Sequence, residues 1–118
     1  MSRYLAVFLG TPDAMATWNQ LDEATRKAKE REGIQAWGAW MEKHKNALAV
    51  IGSPLGKTLR VDKSGVSPTK NAMTAWVAVD ADSQEAAARM FEGHPHFTIF
   101  PGESIEVMAC LAIPDMPT

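Results

Sequence analysis

A chain of 118 residues has the length of one domain and enough material for a real core. Hydrophobic residues make up 46% and charged residues 22%, the balance of a soluble globular protein. A net charge of −2 with acids and bases intermixed gives no field for nucleic acid or an anionic membrane, and the single Cys110 excludes an internal disulfide or a cysteine-built zinc site.

Residues 4–9 are a continuous apolar run ended by Gly10, which predicts a buried strand. The run is too short for a secretion signal or a membrane span, so a cytoplasmic protein is expected. Thr11, Pro12 and Asp13 read as a helix start: a hydroxyl cap, proline at the first helical position and an acid in the first turn. A short helix over 14–18 follows. A longer one is predicted over 22–45, where Ile34, Trp37, Trp40, Met41 and His44 share one stripe. Its basic run at 26–31 is interrupted by Glu30 and reads as a solvated face. Gly33 is expected to mark a bend, and Gly38 a close approach to the surface beneath.

A second strand is predicted over 47–51 and an irregular break over 52–56, with 57–61 continuing that strand along an edge. Residues 62–71 are rich in turn formers, as in a loop or hairpin tip, and β character returns over 72–79. Asp82, with Glu85 three residues on, caps a helix expected to reach Phe91 or Glu92 and stop at Gly93. The last strand is expected over 104–111, with Cys110 as a buried, inert thiol, and 112–118 is a tail.

The order is β-α-β-β-α-β, the α+β ferredoxin-like arrangement with an antiparallel sheet and both helices on one face. A solvated second face would alternate with polar residues. It does not: 4–9 are apolar throughout, 75–79 carry no charge, and Glu106 is the sole charge between Ile105 and Leu111. The cheapest cover is a second copy of the chain, sheet against sheet, in a two-fold dimer that closes a barrel.

Titratable groups and unusual backbone coincide in Gly93-His94-Pro95-His96-Phe97-Thr98-Ile99-Phe100-Pro101-Gly102. In an extended segment His94 and His96 would face the same side. Three uses are open. Metal ligation needs a third ligand such as His44, Glu103 or Glu106. Acid–base catalysis suits an imidazole with an ordinary pKa of about 6.5. Hydrogen bonding would shape the loop, since Pro95 holds His94 extended. Phe97, Ile99 and Phe100 are expected to bury as the loop's anchor.

Trp37, Trp40 and His44 either pack on the sheet or open into a pocket with an aromatic wall. Lys57, after Gly56, is a candidate contact for an anionic ligand. There is no phosphate-binding glycine loop, nucleophile elbow or Walker motif.

Trp37-Gly38-Ala39-Trp40, Gly52-Ser53-Pro54-Leu55-Gly56-Lys57-Thr58 and the closing His94-to-Gly102 motif resemble the YCII-related family of dimeric α+β barrel proteins. The resemblance implies that barrel fold and a homodimer. For some members a histidine–aspartate pair between helix and sheet has been proposed as catalytic. This chain has Trp37 in place of the histidine and His94 in place of the aspartate, so that pair does not carry over. Another branch has Asp-Gly-Pro-Phe in the central loop, where this chain reads Ser64-Gly65-Val66-Ser67-Pro68-Thr69.

The expectation is a small-molecule-binding or enzyme-like homodimer without cofactor or metal. His96 would be the catalytic proton carrier with His94 orienting it, and Trp37, Trp40, His44 and Lys57 would bind ligand. The alternative is a non-catalytic structural or regulatory dimer whose histidines shape a loop.

Overall fold

The computed structural model describes residues 1–114. Its elements are β1 (Ser2–Gly10), α1 (Pro12–Asn19), α2 (Glu23–Lys43), β2 (Leu48–Pro54), β3 (Thr58–Asp62), β4 (Gly65–Thr69), β5 (Met73–Ala81), α3 (Gln84–Arg89), α4 (Pro95–Thr98) and β6 (Gly102–Ala109). Setting aside the β3–β4 hairpin and the short helices α1 and α4, the order is the predicted β-α-β-β-α-β.

Four strands form one antiparallel sheet in the order β2-β5-β1-β6. β1 is central, which explains its unbroken apolar sequence. Tyr4, Ala6 and Phe8 point to the helices, where they meet Val77 and Val79 of β5, Trp40 of α2, and Ala87 and Phe91. Leu5, Val7 and Leu9 take the opposite face by the two-residue period of a strand. Across the ladders Leu5 pairs with Ala78 and Met108, and Val7 with Trp76 and Glu106. The sheet's second face is therefore largely apolar, as the sequence required.

α2 starts at Asp22, whose carboxylate accepts the Thr25 N–H, and α1 starts at Thr11, whose hydroxyl accepts the Ala14 N–H. α3 is capped one residue later than expected, by Ser83 accepting from Ala86 N–H, and it ends at Arg89. Turns then carry the chain to Gly93, whose φ of +69° is left-handed. Gly52 is also left-handed, at +71°, and a Cβ there would overlap the Trp76 carbonyl. That glycine lets β2 bulge and reach Pro54, past the predicted end.

Five expectations need correcting. Residues 57–61 do not continue β2 along the edge. After Leu55 N–H binds Thr74 C=O, the chain leaves the sheet, and β3 pairs with β4 as a separate two-stranded arm. The histidine motif is not extended: Pro95 starts a one-turn helix, and only His94 keeps the extended geometry a residue before proline prefers. Phe97 is 37% exposed rather than buried, because α4 turns it outward. Gly33, not Gly38, provides the close approach; a Cβ on Gly33 would overlap the Phe100 ring, while one on Gly38 would meet nothing within 4 Å. Cys110, one residue past the end of β6, is exposed.

Among the described residues no helix is long and apolar enough to cross a membrane.

Candidate functional site

A cavity of about 1210 Å³ lies between α2 and the sheet, at the end marked by the Gly10–Gly102 pair of β1 and β6. Phe8 and Val77 come from the sheet, Trp37, Trp40 and Met41 from α2, and Phe100 from the segment after α4. Phe8 and Trp37 stack with ring centroids 5.2 Å apart, so one part of the wall is a continuous aromatic surface. Two glycines create the space. Gly33 lets Phe100 lie against α2, and Gly38 leaves the helix surface open where a side chain would project into the cavity.

His96 is the titratable ring in this wall, and it is 5% exposed. Its Nε2 lies 2.8 Å from the Leu9 carbonyl oxygen. A carbonyl only accepts, so Nε2 carries the hydrogen and Nδ1 keeps the ring's basic lone pair. The position follows from the sequence: β1 and β6 lose register between Leu9 and Gly10, which leaves the Leu9 carbonyl for a side-chain donor. Gly102 is the second requirement, because a Cβ there would overlap the His96 ring. Burial lowers the His96 pKa, partly opposed by the hydrogen bond to the Leu9 carbonyl. The ring is a neutral base at neutral pH.

His94 is fully buried and stands outside the cavity wall. Its Nδ1 accepts the His96 backbone N–H at 2.9 Å, capping α4, so Nε2 carries the hydrogen. That Nε2 has no hydrogen-bond partner among the described residues. Instead the ring is boxed by Trp37, Trp40 and Phe8, with centroids at 4.5, 4.8 and 5.1 Å and near-perpendicular planes. Edge-to-face packing of this kind suits an N–H set among aromatic rings. Burial, then the nearby His96 and His44, pushes the His94 pKa down to about 4.

The sequence candidates therefore separate. Trp37, Trp40 and His96 line the cavity, whereas His94, His44 and Lys57 do not. Trp40 is further fixed by its Nε1 donating to the Met90 carbonyl at 2.7 Å. His44 is the C-cap of α2 and packs on Trp40, with its pKa lowered by burial. Lys57 is exposed in the break between β2 and β3. The cation of the wall is Lys70, at the other root of the arm. Sequence reasoning missed Lys70, Phe8 and Phe100 as wall residues. The available signal was Gly38, four residues after Ile34 on an otherwise bulky stripe. Among the described residues no three histidine, cysteine or carboxylate side chains are placed to hold a metal ion.

No family model matches the chain, and the comparison with curated proteins finds no match. Among solved structures the chain is similar to 5-chloro-2-hydroxyhydroquinone dehydrochlorinase (TftG) from Burkholderia phenoliruptrix AC1100, in complex with 2,5-dihydroxybenzoquinone. The TM-score is 0.52, with 15% identity over 89% of each chain. At that identity the likeness is one of fold alone: a mixed α+β chain with an antiparallel sheet and helices.

Proposed function

We propose that the chain is a YCII-related, cytoplasmic homodimer that binds a flat, largely apolar small molecule between α2 and the sheet and moves a proton at His96 Nδ1. The observation that carries this reading is a single imidazole of fixed tautomer set in an aromatic wall. A ring held by Leu9 and Gly102 can take a proton at Nδ1 without reorienting, and the Leu9 carbonyl then steadies the imidazolium. His94 is a positioning residue: it holds the His96 backbone, not the ligand.

Two apolar surfaces support the homodimer. One is the sheet face bearing Leu5, Val7, Trp76 and Met108. The other is the arm, where Leu59, Val61, Val66 and Pro68 share one side by register. Leu59, Val61 and Val66 are 66–76% exposed, and a lone two-stranded hairpin is marginal in water.

Calorimetric titration with 2,5-dihydroxybenzoquinone and 2-naphthol tests the pocket. Saturable binding at one site per chain is expected, and Gly38→Phe should abolish it while the melting temperature holds. Absence of saturable binding by both compounds sinks the pocket reading. The second reading, a non-catalytic dimeric module, has His94 in its favour, since that ring is wholly structural. A wild-type chain that sediments as a dimer and binds neither compound would decide for it.

A further inference from the structure

The polar groups of the cavity are unevenly distributed. Lys70 lines it, yet no aspartate or glutamate does, and Lys70 makes no ion pair among the described residues. Its neighbour Asn71 also lines the cavity. The Asn71 Oδ1 accepts the Met73 N–H at 2.9 Å, and that bond uses neither of the amide's two N–H donors. The Thr74 hydroxyl has its one hydrogen committed, donating to the Phe8 carbonyl at 3.2 Å. Lys70 and Asn71 thus bring a positive charge and fixed donors to one rim, beside the Gly10 N–H to Ala72 carbonyl hydrogen bond that ties β1 to the root of β5. The remaining wall is mostly aromatic and aliphatic, with Thr11, Ser53 and His96 as its other polar side chains. A ligand matching both parts has an apolar body and one anionic, acceptor-only end.

We infer that the cavity takes an organic acid, with its carboxylate at Lys70 and Asn71 and a flat apolar body against Phe8 and Trp37. This rests on the pocket reading proposed above and adds its charge class. A carboxylate can use the ammonium and the amide donors together, whereas an alcohol of the same shape lacks the charge-assisted bond. The arm's root also gains a purpose: residues 70 and 71 leave β4 and enter β5, so the same turn that sets the arm sets the rim.

The test is calorimetric titration with 1-naphthoate and 1-naphthylmethanol, probes of one shape and different charge. Wild type should bind the acid about tenfold tighter than the alcohol at low salt. Lys70→Met should bring that ratio close to one while leaving the alcohol's affinity unchanged. Lys70→Arg should keep the preference, and so should Lys63→Met at the exposed tip of the arm. An alcohol that binds as tightly as the acid overturns the inference, as does a preference that survives in Lys70→Met; in either case the pocket itself stands. Failure of both probes to bind wild type removes the pocket and this inference with it.

Discussion

His94 and His96 are joined by a hydrogen bond in which the His94 ring accepts the His96 backbone N–H at 2.9 Å. One bond settles two protonation states. It keeps a hydrogen off His94 Nδ1, and it fixes the turn that delivers His96 Nε2 to the Leu9 carbonyl. The residue before Pro95 thus holds the residue after it, and the two imidazoles have different tasks.

That division has a pH signature. The His94 pKa is about 4 in the folded chain, against about 6.5 for an unfolded histidine. Both states are neutral above pH 6.5, so stability is flat there. Below it the unfolded chain takes the proton first, and stability falls until the folded ring also protonates near pH 4. The loss is on the order of 3 kcal/mol. His44 and His96, also lowered by burial, act in the same direction. Urea unfolding from pH 8 to pH 4 should show this decline. His94→Asn, which keeps an acceptor for the His96 N–H but cannot titrate, should flatten much of it. An equal decline in the variant would assign the effect elsewhere.

Gly102 and His96 should be coupled. A methyl on Gly102 would displace the imidazole and break its bond to Leu9, at a cost of about 1–3 kcal/mol. In a double-mutant cycle, Gly102→Ala should cost much less when His96 is already Ala. Simple additivity would mean that the ring does not depend on this glycine.

Gly33 poses a sign test, because alanine is the better helix former by about 1 kcal/mol. The Phe100 ring occupies the place of the added methyl, and overlap with a packed ring costs about 1–3 kcal/mol. Gly33→Ala should therefore lower the melting temperature, and adding Phe100→Ala should relieve the overlap. A rise in the single variant would show that Phe100 moves aside freely.

The backbone of this fold was legible because its signals are local. The run ended by Gly10 and the Thr11 and Asp22 caps each mark their element locally, whereas α3 ends at Arg89, short of the expected stop at Gly93. Where tertiary contacts decided, the reading failed. Proline before His96 suggested extension, but the His94 ring capped a helical turn instead. Gly33 looked like a bend because nothing in the sequence says that Phe100, 67 positions away, lies on it. Lys57 and Lys70 look equivalent as isolated basic residues beside loops. Only the departure of β3 and β4 from the sheet puts one at the cavity and leaves the other in solvent.

The arm decides whether the proposed dimer uses more than the sheet. Its polar side is self-sufficient: Arg60 pairs with Asp62, and Asp62 accepts the Ser64 N–H in the turn. Its apolar side, Leu59, Val61, Val66 and Pro68, meets no other element extensively. Replacing Leu59, Val61 and Val66 by serine removes exposed apolar surface, so a monomer should tolerate the change or become more soluble. In a dimer that seats the arm on its partner, the same change should weaken association by about tenfold or more, as judged by sedimentation at micromolar concentration. Unchanged association in the triple variant would confine the interface to the sheet face. A wild-type chain that sediments as a monomer would remove both surfaces from the argument.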